Sequence, residues 1–273
     1  MADHNLIACL HPAGDLPWRA EAVIESDENR SRYAPPRLPS PLPEQSNAPS
    51  HHFTPCLQLT FNPPPRRDKG LVCGWDPTCD IVLPNKHGIS FHHGAFTFDD
   101  HNRLVYDDLG SPEGSAVTYS NQGRGWRRTF RWILDTHSVP GSKSPVVLHL
   151  TPFLCFHVVV CRDDPTSPLY IENVRRFRQG TANVESLFDE VDLDRLPTEP
   201  GSGVHSPLGS GPIELRTKLG EGSFGTVWHV WDVTTGEQHA LKEPSAKAIS
   251  RRRVDVDRWR EEARILGRMQ HVK

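Results

Sequence analysis

The chain has 273 residues, and its 31 Lys and Arg against 34 Asp and Glu leave a formal net charge of −3, so it lacks the overall basic field by which proteins hold nucleic acid. Hydrophobic residues make up 36%, while 25 Pro and 20 Gly predict ordered pieces joined by long linkers rather than one continuous core. The longest apolar run, Phe153 to Cys161, is interrupted by His157 and falls well short of the roughly 18 residues of a membrane span. Residues 1–51 come first, with the proline-rich run Arg37-Leu38-Pro39-Ser40-Pro41-Leu42-Pro43, and read as a mostly disordered lead-in. Within it, Leu6-Ile7-Ala8-Cys9-Leu10 could add one strand to a neighbouring sheet. Asn29-Arg30-Ser31 matches a glycosylation acceptor that has no use outside the secretory pathway.

From 52 to 162 the pattern changes to short strands. Leu57, Leu59 and Phe61 alternate with Gln58 and Thr60, the period of two of a half-buried strand. Further strands are predicted at 70–73, 81–83, 95–98, 104–107, 116–119, 129–134, 146–150 and 153–161, separated by clusters of Gly, Pro, Asn and Asp. Many short strands without intervening helices predict an all-β sandwich. Residues 163–211 read as a linker, with apolar spacing at 169–177 and 184–188 suited to one or two short amphipathic helices packed on either neighbour.

After Pro212 come three antiparallel strands at 214–219, 226–233 and 238–243. Val256, Trp259, Ala263, Leu266 and Met269 then recur at three- and four-residue steps, which predicts one helix from about 255 to 270. The fold class expected is therefore multidomain, an all-β sandwich followed by a small α+β unit of one antiparallel sheet and one helix. The first residues carry no basic leader or long apolar stretch, so the chain is expected in a reducing, intracellular compartment, cytoplasmic or nuclear. The six cysteines form no CxxC pair and read as buried structural thiols. His87, His92, His93 and His101 lack metal-ligand spacing, so no metal site is expected. Arg127-Arg128 and Arg251-Arg252-Arg253 are too short for a nucleic-acid patch.

Gly220-Glu221-Gly222-Ser223-Phe224-Gly225-Thr226-Val227 fits G-x-G-x-x-G-x-V, in which positions without side chains let backbone amides lie against phosphate oxygens. His239-Ala240-Leu241-Lys242 follows on the third strand and Glu262 on the helix. With these in order, 212–273 resembles the N-terminal lobe of a eukaryotic serine/threonine protein kinase. The resemblance implies that ATP is the cofactor. Leu219, Val227 and Ala240 would line the adenine pocket, and the loop Gly220, Glu221, Gly222, Ser223, Phe224 and Gly225 would cover the phosphates. Lys242 would contact the α- and β-phosphates with Glu262 as its ion-pair partner, and Glu261 is the competing choice. A plainer reading makes Lys242 a snorkelling strand lysine and Glu262 part of a solvated helix face. The resemblance stops before the H-R-D catalytic loop and the D-F-G metal motif. This chain alone is therefore expected to bind nucleotide weakly and without magnesium, and not to transfer phosphate; protein substrates and Mg would belong to a longer form.

Residues 52–162 resemble a forkhead-associated domain, through Gly74-Trp75-Asp76-Pro77-Thr78-Cys79-Asp80-Ile81, Ile89-Ser90-Phe91-His92-His93 and Asp107-Asp108-Leu109-Gly110-Ser111-Pro112-Glu113-Gly114-Ser115. That resemblance implies a phosphothreonine-containing partner held by loops at one end of the sandwich, involving Gly74, Lys86, Ser90, His93 and Gly114. Ser90 would donate to the phosphate and His93 would brace the loop. Trp75 stands where the family has an arginine, and Glu113 where it has an asparagine. The first change removes a charge-assisted fork and the second adds repulsion toward an anion. Lys86 offsets this in part. The alternative is a sandwich that keeps the fold and serves a non-catalytic interaction or scaffold protein with a vestigial kinase lobe.

Overall fold

The computed structural model describes residues 3–36, 54–135, 146–161, 166–180, 209, 211–222, 225–244, 249, 257, 259–261 and 264. It divides into two units, 1–213 with 233–236, and 214–232 with 237–273.

The first unit contains two sheets. Strands β1 (Leu6–Ala13), β2 (Tyr33–Ala34), β3 (Cys56–Thr60), β8 (Ala116–Tyr119), β10 (Val146–Thr151) and β11 (Leu154–Val160) form one, in the order β2-β3-β1-β11-β10-β8. The other, in the order β5-β4-β6-β7-β9, is built from β4 (Leu71–Gly74), β5 (Ile81–Val82), β6 (Gly94–Phe98), β7 (Leu104–Asp108) and β9 (Arg131–Ile133). All neighbours are antiparallel except β4 and β5. Alternation sets the core: Val146, Leu148 and Leu150 of β10 are buried while Val147 and His149 are partly exposed. With Leu57, Phe96, Tyr106, Trp132 and Phe156, all nearly inaccessible, they make the packed interior of an all-β sandwich.

Every strand expected from alternation between 57 and 161 is present, with ends moved by a few residues. The N-terminal segment departs from its expected disorder. Residues 3–36 are not disordered: β1 lies between β3 and β11 inside the larger sheet, followed by helix α1 (Pro17–Ile24), a 3₁₀ turn (Asp27–Arg32) and β2. The sandwich therefore begins near residue 6 rather than at 52. Ile7, Ala8, Leu10, Ala20, Val23 and Ile24 are buried, enough apolar surface to offset the ordering entropy that composition alone assigned to the whole stretch. The proline-rich run at 37–43 lies outside the described residues.

The expected linker also contains part of the sandwich. Helix α2 (Pro168–Gln179) starts with Pro at its first turn and ends at Gly180, whose φ of +58° suits glycine. Tyr170, Val174 and Phe177 share one face. Phe177 meets Phe61 and Phe98 edge-on, at 6.1 and 5.2 Å between ring centroids, and Tyr170 donates to the Asn102 carbonyl at 3.0 Å. The helix expected at 184–188 lies outside the described residues.

The second unit is an antiparallel sheet of β12 (Glu214–Glu221), β13 (Gly225–Asp232) and β14 (Gln238–Pro244), in that order. Asp257, Trp259, Arg260, Glu261 and Arg264 are helical. Among the described residues no helix is long and apolar enough to cross a membrane.

Candidate functional sites

One end of the sandwich gathers the residues singled out in its loops. The β4 strand ends at Gly74, where a Cβ would stand 2.0 Å from the Phe91 carbonyl oxygen, so only glycine lets these segments touch. The Trp75 amide then donates to the Ser90 carbonyl at 3.1 Å and the His93 amide to the Cys73 carbonyl at 2.7 Å. Trp75 packs edge-on against Phe91, 4.8 Å between centroids, so the position of the expected guanidinium carries a ring-to-ring contact.

His93 is fully buried and joins both loops. Its Nδ1 accepts from the Ser90 amide at 3.3 Å, and its Nε2 lies 3.3 Å from Ser115 Oγ. That pairing leaves the proton on Nε2. Ser115 Oγ donates onward to Asp108 Oδ2 at 2.7 Å, and Tyr106 Oη lies 3.2 Å from the same hydroxyl. Asp108 is itself buried. It accepts from the Ser111 hydroxyl at 2.5 Å and from the backbone amides of Gly110, Ser111 and Thr129. Burial holds the His93 pKa below its ordinary value against the pull of Asp108, so the imidazole is neutral and acts as a fixed hydrogen-bonding strut. The Asp108, Ser111 and Ser115 supports were not assigned from the sequence, because strand spacing does not show that two serine hydroxyls converge on one carboxylate.

Above this strut the 86–90 loop meets the 111–115 loop. The Ile89 amide closes a turn on the Lys86 carbonyl at 3.1 Å, and Gly114 (φ +73°) closes another on Ser111 at 3.2 Å. Glu113 lies across the gap: its Oε1 is 3.0 Å from His87 Nδ1, and its Oε2 is 2.7 Å from where a Cβ on Gly88 would stand. Gly74, Ser90, His93 and Gly114 thus occupy one end of the sandwich, with Lys86 exposed on the adjoining turn. Among the contacts at that end, the carboxylate of Glu113 faces the loop that carries Ser90.

In the second unit the glycine-rich segment joins β12 to β13. Gly220 pairs with Val227, and Val227 pairs with Lys242 on β14, so all three occupy one row across the sheet. His229 pairs with Ala240 two residues along, which puts Ala240 on the same face as Lys242. Leu219 sits at a register shift in β12 and is exposed. The glycines differ in what they do. A Cβ on Gly225 would come within 2.6 Å of the Glu243 carbonyl oxygen, whereas one on Gly220 or Gly222 would meet nothing within 4 Å. Gly225 is therefore required by the sheet, and Gly220 and Gly222 are not.

Lys242 Nζ stands over the Trp259 ring, 5.1 Å from its centroid, a cation–π contact that the helical stripe alone had assigned to packing. Glu261 pairs with Arg264 at 2.6 Å. Ser223, Phe224 and Glu262 lie outside the described residues.

No family model matches the chain, and no curated protein does. Several solved structures are similar to it, including two of Rad53. One is a crystal structure of Rad53 1-466 in complex with AMP-PNP, at 14% identity and a TM-score of 0.40, covering 100% of this chain. The other is a refined NMR structure of the FHA1 domain of yeast Rad53, at 12% identity and a TM-score of 0.32, covering 64% of this chain and 87% of that one. The chain spans 52% of the length of the Rad53 chain in the crystal structure.

Proposed function

We propose that the protein acts in phosphorylation signalling, with a forkhead-associated-type sandwich for phosphothreonine-containing partners and a nucleotide-binding sheet of the kind found in the N-terminal lobe of serine/threonine protein kinases. The row Gly220, Val227 and Lys242 carries this reading. It sets a cationic side chain beside a loop in which two glycines have open space above them, the arrangement an ATP polyphosphate needs for backbone amides and an ammonium to reach its oxygens together.

Calorimetric titration of the full chain with ATP tests it. The expected result is saturable binding that Lys242→Met weakens at least about tenfold, since a charge-assisted hydrogen bond contributes about 1.5–3 kcal/mol. Gly222→Ala is expected to weaken binding while leaving the melting temperature unchanged, because among the described residues nothing stands within 4 Å of an added Cβ there. Equal affinity in wild type and Lys242→Met, or no binding by wild type, would overturn the reading.

A second reading, a sandwich that serves protein interaction without reading phosphate, is favoured by Glu113, whose carboxylate lies against Gly88 and His87. Paired phosphothreonine and threonine peptide libraries separate the two. Selective capture of phosphopeptides, lost in Ser90→Ala, supports phosphate recognition, and equal capture of both supports the second reading.

A further inference from the structure

The fold brings together three sulfur and nitrogen donors that are far apart in sequence. Cys9 and His11 alternate along β1, and Cys56 opens the adjacent strand β3, where Leu10 pairs with Leu57 and Cys9 with Gln58. Leu10 and Leu57 point into the core, so Cys9, His11 and Cys56 occupy the opposite face. One ligand atom from each lies within 4.8 Å of the others. None of the six cysteines is in a disulfide.

We propose that Cys9, His11 and Cys56 form a binding site for a zinc-like divalent metal ion. Two sulfurs and one imidazole nitrogen are a donor set that a d¹⁰ ion takes in tetrahedral geometry, with a fourth position left for water or another donor. His157 lies beside the cluster on the neighbouring strand: it pairs with His11 in the β1–β11 register, and the two rings are 6.5 Å apart between centroids. The Thr54 hydroxyl lies 3.1 Å from His11 Nδ1, the kind of outer partner that fixes the tautomer of a ligating imidazole. Cys9 is half-buried and Cys56 and His11 are buried, so the cluster is shielded yet reachable.

A competing cluster of Asp76, Cys79 and His92 also places its donors within 4.8 Å. There the Arg67 guanidinium lies 3.7 Å from Asp76, and a cation would have to displace it. Around Cys9 the groups acting most strongly on the thiol are Cys56 and His11, the other two donors. Capture of the ion releases one proton from each thiol as the two metal–sulfur bonds form, and affinity should rise with pH.

The test uses the full chain, kept reduced with a phosphine. Cobalt(II) is added first, and zinc is then added to displace it. One equivalent of cobalt is expected to give the visible bands of tetrahedral thiolate coordination, and zinc to bleach them. Cys9→Ser and His11→Gln should each weaken cobalt at least about a hundredfold, since even outer partners of a metal ligand are worth 10–100-fold. Cys79→Ser should leave the bands unchanged. Zinc should also slow alkylation of Cys9 and Cys56, read by peptide mass in the unsubstituted protein, and leave Cys73 and Cys79 unaffected. That readout does not depend on any variant folding. Absence of the tetrahedral bands at one equivalent, bands lost in Cys79→Ser but kept in Cys9→Ser, or alkylation of Cys9 and Cys56 at the same rate with and without zinc would each overturn the proposal.

Discussion

Asn29 sits in a polar 3₁₀ turn and is 1% exposed. Its amide nitrogen donates to the carbonyls of Val23 at 2.9 Å and Val82 at 2.8 Å, and its Oδ1 accepts from the Val82 amide at 2.9 Å. A motif that reads as an unused glycosylation acceptor is therefore the staple that ties the N-terminal segment to β5. Asn29→Ala is expected to lower unfolding stability by about 2–3 kcal/mol, because it leaves several buried backbone groups without partners; urea denaturation of the two proteins measures it. A second residue gives the fold a pH dependence. Burial, with a further contribution from Arg124, lowers the His149 pKa from 6.5 to about 4, while Thr118 Oγ1 and Cys155 Sγ lie against its two ring nitrogens at 3.2 and 3.1 Å. In the unfolded chain the imidazole keeps its ordinary pKa of about 6.5. Between these values the unfolded state holds the proton that the folded state refuses, so stability rises with pH there and this contribution is complete above 6.5. His93 acts in the same direction. His149→Gln should flatten the slope of stability against pH between 5 and 6 by somewhat under ~1 kcal/mol per unit, since the ring is partly solvent-screened. An unchanged slope would show that burial of His149 does not set it.

At the scale of elements, what the sequence disclosed depended on whether a segment completes its own pattern. Strands such as β3 and β10 alternate visibly, because each turns one face to the core and is bounded by turn residues, and β12 to β14 are marked by the turn residues of their two connections. Strand β1 is equally apolar, yet five periodic residues ending at Pro12 do not show which sheet will take them, and the turn after α1 buries Asn29 and Arg32 rather than apolar side chains. Arg32 is buried against the carbonyl of Asp80 at 3.0 Å and that residue's carboxylate at 3.8 Å, a pairing across 48 positions that no local pattern carries. Helix α2 was legible as amphipathic from Tyr170, Val174 and Phe177, but its seat on Phe61 and Phe98 was not, since an apolar stripe names no partner. The candidate sites follow the same rule. The glycine loop, Lys242, Ser90 and His93 stand in recognisable local strings. Asp108 with its serines, Trp259 beneath Lys242, and the Cys9, His11 and Cys56 cluster exist only once strands distant in sequence are side by side.

At the scale of the whole chain, the placement of β1 decides which fragment can fold. It is an interior strand with β3 on one side and β11 on the other, paired with β11 over six positions from Ala8 with Val160 to Ala13 with Cys155. A fragment limited to 52–162 loses those pairings, opens two sheet edges and exposes the surfaces that Ile7, Leu10, Val23 and Ile24 cover. At about 1.5–3 kcal/mol for each large aliphatic side chain, the loss is roughly 6–12 kcal/mol, comparable to the 5–15 kcal/mol of net stability typical of a domain. The fragment also lacks α2 and its contacts with Phe61 and Phe98. It should therefore show no cooperative thermal transition by circular dichroism and should associate through its open edges, whereas 1–180 should melt in a single step. A cooperative melt of 52–162 at the temperature of 1–180 would mean that the N-terminal strand rides on a sandwich that is stable without it.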